Sequence, residues 1–222
     1  MHVSSQESQA EARETGVRAR TRKLLLDTAM QLMQAGRVPS VTDVAEAAEV
    51  SRATAYRYFP TQAALVQAAV GEALGPILGW RSDLPDAQAR VADLLAFAYP
   101  RIDEYEATLR AALLQAMDQW SRRRAGTLGD EAPIVRGNRR ELLTSALAPL
   151  RSQMAPAAFD RLRQAISLIF GTEAFVVLKD IWGLDGDNAR DVALWSAQAL
   201  VRAAVAETAG ETEDAGRPAM AG

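Results

Sequence analysis

Cysteine is absent from the 222-residue chain. That excludes disulfides, thiolate metal sites and cysteine nucleophiles, and it is compatible with a reducing compartment. Histidine is almost absent: His2 is the single one. No histidine inside the fold is then available for a metal site or a Ser-His pair. Strand-like runs are few, and no glycine-rich phosphate loop follows one. No carboxylate pair is flanked by further chemistry. No catalytic residue, metal ligand or cofactor is therefore expected, and an enzyme is a distant reading. No window has the uninterrupted apolar length of a membrane span. The N-terminus is polar and acidic rather than signal-like, so a cytoplasmic protein is expected.

What is present is an ordinary globular balance, 49% apolar and 24% charged residues, with length enough for one large or two smaller domains. The net charge of −3 hides an asymmetry. From Arg18 to Pro60 there are seven basic residues against four acidic ones, so this span is +3 and the remainder is −6. A basic head on an acidic body fits a nucleic-acid-binding module joined to another one.

The most informative stretch is Ser40 to Phe59, SVTDVAEAAEVSRATAYRYF. Ser40 with Asp43 has the spacing of a capping box. Val41, Val44, Ala45 and Ala48 then form one apolar stripe of a short helix. Val50 is an apolar plug in a tight turn, and Ser51 caps the next helix. Ala55 and Phe59 lie on the inner face of that second helix. Its other face carries Arg52, Thr54, Tyr56, Arg57 and Tyr58, with no carboxylate. Cations, hydroxyls and aromatics suit phosphate oxygens and base edges. The pattern predicts a helix-turn-helix whose second helix enters the major groove.

Three stretches, Arg20–Gly36 (RTRKLLLDTAMQLMQAG), Ser40–Ser51 (SVTDVAEAAEVS) and Arg52–Val66 (RATAYRYFPTQAALV), resemble the TetR family of bacterial transcriptional repressors. The resemblance covers roughly the first third of the chain in detail and rests on three helices, their spacing and the T-x-Y-x-Y-F ending. It implies base-facing roles for Arg52, Ala53 and Tyr56, and backbone-contacting roles for Thr54, Arg57 and Tyr58. Ser40 and Thr42 resemble positions that reach phosphate or an edge base. For Tyr58, burial against the first helix is an equal alternative. Arg18, Arg20 and Lys23 are either an arm touching phosphate or solvated charge at a helix start. Three departures stand out: Glu49 where the family has Gly in the turn, Ala55 where a larger apolar residue is common, and Gln62 where a phosphate-clamping Lys is usual. Gln62 is expected still to hydrogen-bond phosphate, without releasing a counterion.

The expected fold is all-α, about nine helices. Residues 1–16 are expected as a disordered tail, 17–60 as the DNA-binding domain, 61–209 as a helical effector-binding and dimerisation domain, and 210–222 as a second disordered tail. Pro100 is expected to separate a helix ending near Ala98 from one over 101–122, a seventh helix is expected over 135–154, and a single long apolar helix over 156–182. The second domain is expected to hold a small, mostly apolar effector, with Phe97, Met117, Trp120, Phe170 and Phe175 as a set of candidate lining, plain core packing being the first reading of each one singly. Excess apolar surface on the last two helices suggests a homodimer, with Ile169, Gly171, Val176, Trp195 and Ala199 as candidate interface residues. By resemblance, such a dimer binds a near-palindromic double-stranded operator and represses until the effector binds. The alternative is a helical dimer that binds a ligand or protein and has lost DNA binding.

Overall fold

The computed structural model describes residues 3–131, 134 and 139–215. Among these, every regular element is helical. Two compact units emerge, Met1–Ala73 with Tyr105–Val135, and Leu74–Glu104 with Arg136–Gly222. The helix over 106–124, which the sequence assigns to the effector domain, thus belongs to the first unit.

In the first unit, α1 spans Val3–Gln34, α2 Val41–Ala47 and α3 Arg52–Tyr58, and α6 spans Glu106–Arg124. Helix α1 begins at Val3 rather than near Val17. Its early turns are rich in Gln, Glu, Ala and Arg, strong helix formers, and extending an existing helix costs far less than nucleating one. Leu25, Leu26, Ala29, Met30 and Met33 of α1 form a buried stripe. They meet Val41, Val44 and Ala45 of α2, Ala55 and Phe59 of the α3 region, and Leu65, Val66 and Ala69. Ala111 of α6 closes the same core. Gly36 ends α1 at φ +77. Its N–H donates to the Met33 carbonyl, and that of Arg37 to Leu32, which is a Schellman motif.

Helix α4, Gln62–Leu78, crosses from one unit to the other. In the second unit α5 spans Ala87–Glu104, α7 Arg139–Ala146, α8 Pro156–Ser167, α9 Thr172–Phe175 and α10 Gly186–Ala215. Helix α5 runs through Pro100. The expected break comes instead at Tyr105, which is neither part of α5 nor of α6. Helix α7 begins at Arg139 and gives way to a 3-10 turn over Ala148–Leu150, so the expected helix over 135–154 is shorter. Val135 and Arg136 of that expectation lie outside the described residues, as does the tail from 216 onward. Helix α10 packs along α5, burying Ala189, Ala193, Ala197 and Val201, a stripe at i, i+4, i+8 and i+12.

The long helix expected over 156–182 is broken. Gly171 takes φ +127, a region that other residues essentially do not enter, and α9 restarts after it. A π-helix follows over Val176–Ile181. The break is pinned from two sides. The Arg139 guanidinium donates to the Ser167 carbonyl at 3.0 Å and to Glu173 at 2.6 Å. The Tyr99 hydroxyl donates to the Ile169 carbonyl. A Cβ on Gly171 would lie 3.1 Å from the Arg139 guanidinium, so side chain and backbone both call for glycine. Tyr99 is buried between Phe170 and Phe175, with ring centroids 6.4 and 5.2 Å away. Burial raises its hydroxyl pKa above the ordinary tyrosine value, against the opposing pull of the Gly171 N–H and of Arg139.

Candidate nucleic-acid interface

The reading head is built by caps. Ser40 accepts the Asp43 N–H at 3.1 Å, while the Asp43 carboxylate accepts the Ser40 N–H at 2.8 Å. This is a complete capping box, and the Ser40 N–H holds the Asp43 carboxyl below the usual carboxylate range. The Ser40 hydroxyl also donates to Asp43 at 2.8 Å, so it is committed to the cap. Ser51 caps α3 through the Thr54 N–H at 3.2 Å and donates its hydroxyl to Thr54 Oγ1 at 2.9 Å. Four residues, Ala48 to Ser51, therefore suffice to turn the chain between two defined helix ends.

Helix α3 buries Ala55, with Phe59 just beyond it, and turns Arg52, Ala53, Tyr56 and Arg57 to solvent. Thr54 is half-buried beside its cap. Tyr58 is half-buried against the core and lies beneath the Arg57 guanidinium, 5.5 Å from ring centroid. Arg57 can thus reach outward from an aromatic platform. Two side-chain pairs join α2 to α3. Thr42 Oγ1 lies 3.3 Å from the Tyr56 hydroxyl, and Arg52 Nη2 pairs with the Glu46 carboxylate. Glu46 is a site residue that the sequence reading does not select. Its only signal is an acid six positions before Arg52, and nothing in a linear spacing says that the two face each other.

Residues 25–69 match the sequence model described as "Bacterial regulatory proteins, tetR family". This match covers the helix-turn-helix and the helix ends on either side of it, about a fifth of the chain. A crystal structure of a TetR transcriptional regulator from Rhodococcus sp. RHA1 shares the fold, with a TM-score of 0.52 and 20% identity over 82% of this chain and 96% of that one. No curated protein matches the chain. The matched segment contains α2 and α3, and α3 is exposed and carries no carboxylate of its own.

The three departures from the TetR pattern are absorbed locally. Glu49 does adopt a left-handed conformation, φ +53, the single non-glycine residue with positive φ among those described. It sits at the C′ position of α2. Its N–H donates to the Glu46 carbonyl at 3.2 Å and that of Val50 to Ala45 at 2.9 Å. The motif is the one that Gly36 makes at the end of α1, here made by a residue with a Cβ. Ala55 is fully buried, so the smaller side chain still fills its place beneath α3. Gln62 donates its amide to the carbonyls of Val38 and Pro39, at 3.2 and 3.1 Å. Its donors thus tie the start of α4 to the α1–α2 link, and its remaining acceptor has nothing to offer a phosphate.

On α1, Arg18, Arg20 and Lys23 are all exposed. Arg20 donates to the Gly16 carbonyl at 3.2 Å. Lys23 pairs with Asp27 at 2.8 Å, a bond that raises the ammonium pKa. A phosphate would compete with these local partners.

The residues considered for an effector fall in both units. Met117 and Trp120 are exposed on α6 in the first unit. Phe97 is half-exposed on α5, while Phe170 and Phe175 are buried around Tyr99 in the second. A cavity of about 300 Å³ lies in the first unit, among Gln62, Ala63, Leu114, Gln115 and Asp118. Its lining is largely polar rather than aromatic, and the aromatic content of the chain did not point to it. Among the interface candidates, Trp195 is exposed, and Ile169, Gly171, Val176 and Ala199 are half-buried. Leu168, Ile181 and Trp182, exposed by 77%, 73% and 72%, accompany them in the same unit.

Proposed function

We propose that this protein is a TetR-type regulator, a homodimer that binds a near-palindromic operator, represses transcription, and is released by a small effector. The observation that carries the DNA part is α3, which presents Arg52, Ala53, Tyr56 and Arg57 to solvent and no acid of its own. Thr54, Tyr58, Thr42 and Ser40 flank that face, and Arg18, Arg20 and Lys23 supply further positive charge toward the duplex backbone.

The homodimer is supported by apolar surface that a monomer would leave wet. Leu168, Ile181, Trp182, Val192 and Trp195 are exposed in one unit. Val192, Trp195 and Ala199 follow one another at i, i+3 and i+7 along α10, a single stripe. A helical face of that kind is a standard way to pair two chains, and the resulting two-fold axis sets the near-palindromic operator. The effector part rests on the common mode of action of the family, with Phe97, Met117, Trp120, Phe170 and Phe175 as the apolar groups first considered. The protein has no place for a cofactor or metal in this scheme, no catalytic role and no membrane, and it works in the cytoplasm on the nucleoid. No helix among the described residues is long and apolar enough to cross a membrane.

The test is a gel-shift titration of the full chain on DNA from just upstream of its own gene, at two salt concentrations, with sedimentation of the free protein alongside. A discrete shift that weakens with salt and vanishes in Arg52→Ala supports the reading. Sedimentation should give a dimer, and Trp195→Asp a monomer. A folded dimer that retains no DNA fragment in a genome-wide pull-down sinks the regulatory reading and leaves the ligand- or protein-binding dimer. Melting-temperature shifts with a broad apolar library test the effector; a library without a single shift removes it.

A further inference from the structure

Glu46 is an exposed carboxylate of α2 paired with Arg52 of α3, a helix that has no acid of its own. Against a phosphate backbone such a charge weakens binding. Stability does not account for it either: Arg52 and Glu46 are exposed by 66% and 60%, and ion pairs so exposed contribute little. We infer that Glu46 is a positioning residue for sequence reading. It holds the Arg52 guanidinium so that the free edge of the fork meets O6 and N7 of a guanine, and thereby sets a guanine preference at one position of each half-site. The inference rests on the reading of α3 as the DNA-facing helix.

The guanidinium is planar, with five N–H groups in a rigid fork. Bidentate recognition of guanine needs two parallel N–H bonds from that fork. Arg52 is the first residue of α3, at the end where recognition helices contact base edges. Glu46 accepts one of the two N–H groups of Nη2, so the plane of the fork is fixed from the α2 side, while the second N–H of Nη2 and the parallel N–H beside it on the opposite edge remain for a base. An unrestrained arginine has a second option, which is to swing to a phosphate. That contact adds affinity and no sequence information. Glu46 disfavours it twice, by occupying part of the fork and by cancelling the charge that would release a counterion. Ordering the side chain before DNA arrives also removes part of the entropy cost of binding. Glu46 thus exchanges general affinity for selectivity.

This exchange gives opposite signs to two measurable quantities. Duplexes are selected from a random pool by the full-length protein, and base preferences are scored at each position for wild type, Arg52→Ala, Arg52→Lys, Glu46→Gln and Glu46→Ala. Arg52→Ala and Arg52→Lys should erase one guanine preference per half-site. Glu46→Gln and Glu46→Ala should reduce the guanine-to-other-base ratio at that same position by about tenfold, within the range of a bidentate contact. Affinity for a scrambled duplex should stay level or rise in both, with a steeper salt dependence. A merely structural role would weaken every position together. The inference is overturned if the Glu46 variants keep the guanine ratio, or if all positions decline in parallel. If the wild type selects no sequence while remaining folded, the DNA reading itself fails, and this inference with it.

Discussion

Replacing Glu49 by glycine should make the protein more stable, although it removes a side chain and adds no contact. Glu49 is exposed and stands at φ +53. An L-residue in the left-handed region carries roughly 1–2 kcal/mol of steric cost from its Cβ. Glycine is free of that cost but brings back about 0.5–1 kcal/mol of unfolded-chain entropy. The difference favours Glu49→Gly by about 0.5–1 kcal/mol. For a chain of this size, that corresponds to a rise of about 1–4 °C in melting temperature. Glu49→Ala separates the two causes. It removes the charge and the long side chain but keeps the Cβ, so it should gain nothing. The assay is urea denaturation followed by circular dichroism, with all three proteins compared at one pH. If Glu49→Gly and Glu49→Ala shift the midpoint equally, the gain comes from the lost charge. The backbone argument for the turn is then refuted. The α2 motif keeps its two hydrogen bonds in each variant, because both are made by backbone groups.

Gly171→Ala should cost more than about 2 kcal/mol. It combines a forbidden φ with displacement of Arg139 from Ser167 and Glu173, and urea midpoints of the variant read it directly. Tyr99 makes stability fall in alkali. Its pKa is raised in the fold, so its contribution is whole below the ordinary tyrosine value near 10 and is lost as the pH rises through the folded one. Denaturation midpoints at pH 8, 10 and 11 should drop steeply in the wild type and less so in Tyr99→Phe. Gln62→Lys should steepen the salt dependence of DNA binding by about one unit per half-site, since a counterion is now released there. An unchanged slope in a salt titration would show that position 62 lies away from the phosphates.

The helix-turn-helix was legible because its determinants are local. Caps act across three residues, from Ser40 to Asp43 and from Ser51 to Thr54, and the apolar stripe of α2 closes within seven. The family likeness sets Gly against Glu49 in the turn, and Glu49 takes a left-handed backbone there. Features that depend on distant partners were not legible. Nothing in 106–124 says that Ala111 will pack in the core of α1 and α2 rather than with the helices that precede and follow it in sequence. Pro100 looks like a boundary, yet α5 passes through it: the ring removes one N–H bond, and the buried stripe Val91, Leu94, Leu95, Ala98, Tyr99 and Ile102 continues on both sides. The segment 156–182 is so apolar that it reads as one buried helix. Its interruption is dictated by Arg139 and Tyr99, which come from other helices. The Arg52–Glu46 pair is of the same kind, being fixed by the angle between α2 and α3. The Gln62 amide was expected at phosphate, and its engagement by Val38 and Pro39 depends on where the preceding loop passes.

The four tryptophans divide in a way that makes the molecule its own optical reporter. Trp80 is buried and donates to Asp93, so its emission should be blue and shielded. Trp120, Trp182 and Trp195 are bathed in solvent, by 62%, 72% and 68%. Trp120 stands alone in the first unit, on α6, whereas Trp182 and Trp195 belong to the second, where a partner chain would cover them. Dilution of a dimer would then red-shift the emission of two indoles and make them open to iodide quenching. The colour of Trp120 would not change. With Trp182 and Trp195 replaced by phenylalanine, the red side of the emission comes from Trp120, apart from the blue emission of Trp80, and can be followed while DNA is added.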